Sequence, residues 1–287
     1  MVSTVTVACV QNSAGPEIEA SMAEATRLVR AAHDRGAELI CLPEYFSCLK
    51  TSDDQFVVGA LSEAAHPALP HYRDLARELG VWLLLGSLAV KAGPDKVYNR
   101  SYLIDASGGI VSHYDKLHLF DVDLADGESY RESAAVAPGD RAVVAPTPWG
   151  PVGLSICYDL RFAHLYRALA QAGAVFLTVP AAFAQTTGQA HWHVLLRARA
   201  IETGCFVLAP CQCGTHGGGR PTYGHSLIVD PWGRVLADGG EEPGIIVATV
   251  DTAEVTKARS MVPALQHDRP FASHPHPGPP PSRGREK

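Results

Sequence analysis

The strongest constraint on the fold is the alternation of short apolar segments with amphipathic ones along most of the chain. Residues 4–10 and 152–156 have the length and composition of buried β-strands. Residues 18–35 carry apolar side chains at helical spacing, and Gly36 ends that pattern. A glycine-containing turn at 107–109 joins two further strands into a hairpin. This alternation predicts mixed β-sheets covered by helices, an α/β fold of the layered α+β kind.

Composition and charge exclude several classes of partner. A net charge of −6 over 287 residues leaves no basic face for nucleic acid. Residues 1–7 alternate like a strand and lack the basic region and apolar run of a signal peptide. No apolar stretch reaches the roughly 20 residues that span a bilayer. We therefore expect a cytoplasmic protein with a small-molecule substrate and with neither nucleic acid nor membrane as a partner.

The domain organisation follows from where the composition changes. No linker divides the body of the chain, so residues 1–272 are predicted to form one domain. Residues 273–287 are rich in proline and glycine and end in a run of charges. Such a segment buries too little apolar surface to fold, and we expect a disordered tail there.

The seven cysteines do not form the pattern of a disulfide framework, because their number is odd and they lie in strand-like segments. Cys211, Cys213 and His216 suggest a zinc site, but a structural site needs four ligands and no second pair of matching spacing exists. His191 and His193 lie two positions apart and point to different faces of a helix. We expect no metal and no cofactor.

Three apolar strands each end at a reactive side chain, and these are the candidates for chemistry: Glu44, Lys116 and Cys157. Sites in layered α/β folds form beyond strand ends, so the three can converge. Cys157 stands between a buried strand and a helix, where backbone N–H groups favour thiolate and lower a thiol's pKa. The alternatives are a structural buried cysteine and two surface charges, as these residue types usually are.

The segments around these residues resemble the three catalytic motifs of the nitrilase superfamily of carbon–nitrogen hydrolases, in the family's order. They are Leu42-Pro43-Glu44, Tyr114-Asp115-Lys116-Leu117-His118-Leu119-Phe120 and Ile156-Cys157-Tyr158-Asp159-Leu160-Arg161-Phe162. Arg131-Glu132-Ser133 is similar to the segment that carries the family's second glutamate. The resemblance implies a four-layer α-β-β-α sandwich, and it implies subunits that assemble into a homodimer or a higher homo-oligomer.

The same resemblance implies a role for each of four residues. Cys157 would attack an amide carbonyl and form an acyl thioester, and Glu44 would accept the thiol proton and later activate water. Lys116 would stabilise the oxyanion together with the backbone N–H that follows Cys157. Glu132 would orient Lys116 or the substrate amide. The expected activity is therefore that of an amidase, and no metal takes part in it.

Within the superfamily, the chain resembles the branch of ω-amidases and deaminated-glutathione amidases through residues 182–192 and 197–203. Residues 211–214 and 223–226 favour the deaminated-glutathione side. The alternative functions are those of an N-carbamoyl amide hydrolase, a true nitrilase and a catalytically silent binding protein. Candidate substrate-binding residues are Tyr158, Arg161, Phe183 and Thr187.

Two arginines are candidates for binding a substrate carboxylate. Arg161 follows the nucleophile closely, and its alternative role is a structural ion pair with Asp159 or with a carboxylate on a helix. Arg220 closes the glycine-rich segment 214–220 and could meet a carboxylate on the leaving group. The alternative for that segment is a solvated surface loop.

Overall fold

The computed structural model describes residues 3–49, 51–52, 55–56, 61–123 and 129–271. The predicted tail, residues 273–287, lies outside them. Within the described residues the chain forms eighteen strands and five α-helices. The helices are α1 (Ile18–Asp34), α2 (Ala68–Leu79), α3 (Ala163–Gln171), α4 (Gln185–Thr203) and α5 (Ala253–Met261). In this part of the chain no helix is both long and apolar enough to cross a bilayer.

The first large sheet has six strands in the order β18-β1-β2-β5-β6-β7. These strands are β1 (Thr4–Gln11), β2 (Leu39–Cys41), β5 (Trp82–Lys91), β6 (Val97–Ile104), β7 (Ile110–Asp115) and β18 (Gly244–Asp251). β1, β2 and β5 run parallel, and the outer strands pair antiparallel. The predicted strands and the hairpin of this region are confirmed, with bounds that shift by a few residues.

The second large sheet also has six strands, in the order β10-β11-β12-β13-β16-β17. They are β10 (Val143–Ala145), β11 (Val152–Leu154), β12 (Phe176–Thr178), β13 (Phe206–Ala209), β16 (Leu227–Val229) and β17 (Val235–Asp238). The two central pairings, β11 with β12 and β12 with β13, are parallel, while the outer ones are antiparallel.

Three two-stranded sheets complete the described strands. They pair β3 (Thr51–Ser52) with β4 (Gln55–Phe56), β8 (Asp121–Asp123) with β9 (Ser129–Arg131), and β14 (Cys213–Thr215) with β15 (Pro221–Tyr223). Short 3-10 helices cover Glu63–Ala65, Glu132–Ala134, Cys157–Arg161 and Ala264–Gln266.

The alternation of side chains along the strands builds the layers. In β1, Val7 and Cys9 join the core shared with the second sheet, whereas Ala8 and Val10 pack in a separate core with α1 and α2. Successive strand residues point to opposite faces, so one apolar strand can serve both cores. Leu169 of α3 and Leu196 of α4 join the core on the side of the second sheet. The result is the predicted four-layer α-β-β-α sandwich.

Two boundaries near the candidate site differ from the prediction. β11 ends at Leu154 rather than at residue 156, and a 3-10 helix, Cys157–Arg161, separates it from α3. The sequence predicts a helix over residues 191–202, whereas α4 begins at Gln185. The polar residues of its first turns gave no apolar stripe by which to recognise a helix.

Candidate active site

Cys157 is held in a conformation that few side chains adopt. Its φ is +50°, in the left-handed region, and its backbone N–H donates to the Pro180 carbonyl oxygen at 2.9 Å. A non-glycine residue at such a φ is strained, and strain of this kind concentrates at functional sites. Tyr45, the residue after Glu44, has a φ of +52°. The thiol and the carboxylate thus both stand at sharp turns beyond strand ends.

The structure brings Glu44, Lys116 and Glu132 together in one buried cluster. Lys116 Nζ lies 3.0 Å from Glu44 Oε1, and 3.0 and 2.9 Å from the two carboxylate oxygens of Glu132. All three side chains are 2–3% exposed. Cys157 and Glu44 line the same cleft, and the charge of the Glu44 carboxylate acts on the thiol. The four predicted catalytic residues therefore meet in space, although they come from separate segments.

Backbone and amide donors fix the two carboxylates. Glu44 Oε2 accepts from the Ala182 N–H at 2.8 Å, and Glu132 Oε2 accepts from the Phe120 N–H at 2.6 Å. Asn99, fully buried in β6, donates from Nδ2 to both glutamates, at 2.8 Å to Glu44 and 3.3 Å to Glu132. The sequence analysis missed Asn99. A polar amide inside an otherwise apolar strand segment was the signal that could have found it.

The surroundings shift the pKa values of the two carboxyl groups, Glu44 and Glu132, in opposite directions. Burial opposes the charge of Lys116, but Glu132 and Glu44 outweigh it and hold the Lys116 pKa well above its usual range. Burial also raises carboxyl pKa values, yet the Lys116 ammonium brings the pKa of Glu44 below its ordinary value. For Glu132, burial and the nearby Glu44 charge prevail, and its pKa is raised. Glu44 is therefore the stronger candidate for an ionised base.

The expected lowering of the thiol pKa is wrong. Burial raises the pKa of Cys157 well above its usual range, and the negative charge of Glu44 adds to this, while Lys116 opposes it only in part. The 3-10 helix after the cysteine is too short to offset that desolvation. The thiol is therefore protonated at neutral pH and needs a base to become a nucleophile.

Asp159 ties the nucleophile turn to the lysine segment. Its Oδ2 accepts from the Ile156 N–H at 2.9 Å and from the Tyr114 hydroxyl at 2.7 Å. Its Oδ1 accepts from the His118 N–H at 3.0 Å and lies 2.7 Å from His118 Nδ1. From the sequence, Asp159 is expected only as a possible ion-pair partner of Arg161. Its hydrogen bonds link the segment that carries Cys157 to the segment that carries Lys116.

A narrow cleft opens onto Cys157. Three of the four predicted substrate-binding residues, Tyr158, Phe183 and Thr187, line it. Arg161 does not. Its guanidinium lies over the rings of Tyr158 and Phe183, 5.7 and 5.5 Å from their centroids, and Nη1 is 3.3 Å from His191 Nδ1. The lining cations among the described residues are Lys116 and Arg220.

Arg220 and His216 show that segment 214–220 is not merely a solvated loop. Arg220 Nε and Nη1 are buried, and the guanidinium lies 4.3 Å from the centroid of the Tyr130 ring. His216 is buried, with Nδ1 2.8 Å from the Ala14 carbonyl oxygen and Nε2 2.7 Å from Thr222 Oγ1. Both ring nitrogens of His216 are thus engaged, which leaves none for a metal shared with Cys211 and Cys213.

Comparison with known proteins finds relatives that match nearly the whole chain. The sequence profile described as "Carbon-nitrogen hydrolase" matches residues 6–260. A deaminated glutathione amidase of Bos taurus is 43% identical over 272 residues, which cover 92% of this chain and 82% of that protein.

Solved structures agree in fold. The NitFhit protein of C. elegans superposes with a TM-score of 0.85 at 34% identity, over 93% of this chain and 66% of that one. An amidase variant from Nesterenkonia sp. AN1 has a TM-score of 0.77 at 28% identity, over 92% and 94% of the two chains. That variant carries the acetamide moiety of fluoroacetamide covalently on its active-site cysteine.

Proposed function

The chain belongs to the carbon–nitrogen hydrolase family and is an amidase, and on that premise we propose that Cys157, Glu44, Lys116 and Glu132 are its catalytic set. One observation carries the proposal: a buried ammonium group is held between two carboxylates, and one of these, Glu44, lines the same cleft as the Cys157 thiol. The covalent cysteine adduct of the Nesterenkonia amidase supports a cysteine nucleophile in this fold.

In the acylation step, Glu44 takes the Cys157 proton as the sulfur attacks the amide carbonyl carbon. The carbonyl oxygen becomes an oxyanion, which Lys116 and the backbone N–H after Cys157 stabilise. The C–N bond then breaks, the Glu44 proton passes to the leaving nitrogen, and an acyl thioester remains on Cys157. A protonated thiol beside an ionised carboxylate is the starting state that this step requires.

In the deacylation step, Glu44 takes a proton from water, which attacks the thioester carbonyl carbon. The C–S bond breaks, the acid leaves and the thiol regains its proton. Glu132 holds Lys116 in place throughout, because both its oxygens contact Nζ. Lys116 has three N–H donors and three carboxylate contacts, so one contact to Glu132 must give way when the oxyanion forms.

We propose deaminated glutathione as the substrate, on the strength of the bovine relative. Its α-ketoglutaryl group would become the acyl thioester, and the Cys-Gly dipeptide would leave. α-Ketoglutaramate forms the same thioester and releases ammonia, so the acyl pocket cannot separate the two. Any preference must come from the leaving-group side of the cavity.

Arg220 is the residue that we assign to the leaving group. It lines the cavity beside Cys157, whereas Arg161 does not, and the other lining cation, Lys116, is held by two glutamates. A guanidinium binds a carboxylate with paired hydrogen bonds, and exclusion of water strengthens them. The terminal carboxylate of the dipeptide is a group that ammonia lacks.

Parallel steady-state assays of the two amides test this assignment. We expect kcat/KM to favour deaminated glutathione by roughly tenfold or more, about 1.4 kcal/mol of transition-state binding. Arg220→Gln should reduce kcat/KM for deaminated glutathione and leave that for α-ketoglutaramate nearly unchanged. Arg161→Gln serves as the control, because its guanidinium lies outside the cavity lining. Equal losses for both amides in Arg220→Gln would contradict a leaving-group role.

We further propose that two subunits pair through the face that carries α4 and α5. Large apolar side chains are exposed there: Val194, Ile201, Trp232, Met261 and Val262 are 54–67% exposed. Ile201, Trp232 and Val262 line one shallow groove, and Val194 lies two helical turns before Ile201 on α4. An apolar patch of this kind marks an interaction surface more often than a solvated one.

A further inference from the structure

Three metal-ligating side chains converge outside the catalytic cavity. They are His193 on α4, His225 just before β16 and Asp238 at the end of β17. His193 Nε2 lies 3.1 Å from Asp238 Oδ2, and His225 Nδ1 lies 2.9 Å from Asp238 Oδ1. The possible ligand atoms all lie within 4.8 Å of one another. None of the three residues lines the cavity at Cys157.

Neighbouring contacts orient the two imidazoles. The Tyr223 hydroxyl is 3.5 Å from His193 Nδ1, which leaves Nε2 turned towards Asp238. The Tyr223 ring also stacks on His225, with centroids 4.6 Å apart and an interplanar angle of 26°. Such outer contacts fix the ring orientation of metal-binding histidines.

The backbone around the cluster is equally constrained. His225 has a φ of +51°, its N–H donates to the Gly240 carbonyl oxygen at 2.6 Å, and its carbonyl accepts from Trp192 Nε1 at 2.8 Å. The Gly240 N–H donates to Asp238 Oδ1 at 2.9 Å. Much of the ordering that a metal site requires is therefore already present.

We propose that His193, His225 and Asp238 bind one divalent transition-metal ion of the zinc type. Two imidazoles and a carboxylate are a set that Zn²⁺ accepts, with a fourth position open to water. Zinc lies about 2.0–2.2 Å from nitrogen and oxygen ligands, so the three side chains would close on the ion as it binds. Their side chains are 33%, 22% and 34% exposed, so solvent can supply the fourth ligand.

The ion would join α4 to the hairpin of β16 and β17. α4 carries Thr187 of the cavity lining, and Trp192 on α4 lies 4.9 Å, between centroids, from the ring of Phe183, another lining residue. We therefore expect the bound ion to stabilise the wall of the cavity and to take no part in catalysis. It stands independently of the proposed substrate and of the dimer.

Calorimetric titration of the untagged full-length protein with ZnCl₂ tests the site. We expect one zinc ion per chain, with affinity reduced at least about tenfold in His193→Ala and in Asp238→Asn. His191→Ala is the matched control, since His191 is an exposed histidine on the same helix that contacts Arg161. Zinc should raise the Tm of the wild type and of His191→Ala, and not that of His193→Ala.

Two further measurements distinguish loss of a zinc ligand from loss of folding, and the proposed site from the catalytic thiol. Without zinc, His193→Ala should melt close to the wild type, which separates loss of a ligand from loss of folding. Cys157→Ala should still bind one zinc ion, because the proposed ligands do not include the catalytic thiol. Unchanged zinc affinity in His193→Ala and Asp238→Asn, no binding by the wild type, or binding lost only in Cys157→Ala would each overturn the proposal.

Discussion

Glu44 and Glu132 share one ammonium group, yet their surroundings shift their pKa values in opposite directions. Glu44 has the backbone N–H of Ala182 and the Lys116 charge in its favour, and these outweigh burial. Pairs of carboxyl groups separated in this way commonly divide acid, base and orienting roles. The assignment of Glu44 as base and Glu132 as the partner of Lys116 rests on that difference.

Glu44→Gln keeps the shape of the side chain but removes the proton acceptor. We expect kcat to fall by roughly 10²–10⁴-fold, the usual effect of losing a general base. Acylation and deacylation should both slow in single-turnover experiments, because the same carboxylate serves both steps. Glu19→Gln, an exposed change in α1 that alters the net charge equally, should be neutral. A near-normal kcat in Glu44→Gln would show that Glu44 is not the general base.

The raised pKa of the Cys157 thiol predicts how the residue reacts with iodoacetamide. A raised pKa means that thiolate appears only above the normal titration range, so alkylation should be slow and nearly flat through neutral pH. The rate should climb on the alkaline side. Subtracting the rate of Cys157→Ala corrects for other thiols, such as the half-buried Cys48. A sigmoidal rise centred at or below neutral pH would show a preformed thiolate instead.

At the scale of elements, a bulge in β5 supports the turn that carries Glu44. The register of β5 against β6 shifts between Leu85 and Leu88. Within the bulge, Ser87 Oγ accepts from the Tyr45 N–H at 3.0 Å. A Cβ on Gly86 would lie 1.9 Å from the Leu42 carbonyl oxygen and 2.2 Å from that of Pro43. Only glycine lets the two backbones approach this closely.

Gly86→Ala should therefore damage both stability and activity. We expect the free energy of unfolding to fall by about 1–3 kcal/mol or more, as overpacking against rigid backbone does. The activity of the folded fraction should also fall, since Glu44 moves with Pro43. Gly93→Ala is the control, because nothing lies within 4 Å of its added Cβ. Chemical denaturation and kcat measured on both variants check this. Equal stability and equal kcat in Gly86→Ala and Gly93→Ala would contradict the proposed role of the bulge.

The sequence was most informative where periodicity is strong and the element is long. The strand before Glu44 and the helix from Ile18 follow from side-chain pattern alone, because burial on one face imposes it. The pairing of β14 with β15 and the start of α4 were missed, since their conformations depend on tertiary contacts. Asn99 and Asp159 were missed as site residues for the same reason: their partners are distant in the chain.

The exposed apolar face of α4 and α5 is the surface that we propose for subunit pairing. We propose that residues 1–272 fold as one unit and that two such units pair across this face. Ile201→Glu places a charge at its centre and should convert a dimer into a monomer, as measured by light scattering after gel filtration. Ile110→Glu, the same change at an exposed isoleucine of β7, should leave the dimer intact. A monomeric wild type, or a dimeric Ile201→Glu, would contradict this interface.

In the proposed mechanism, Cys157 carries the acyl group between the two half-reactions. Intact-protein mass spectrometry after rapid acid quench with deaminated glutathione detects that intermediate. We predict a mass gain of one α-ketoglutaryl group per chain, which peptide mapping locates on Cys157. The adduct should be absent from Cys157→Ala and present in Cys205→Ala, another buried cysteine. An adduct on another residue, or product formation by Cys157→Ala at the wild-type rate, would contradict it.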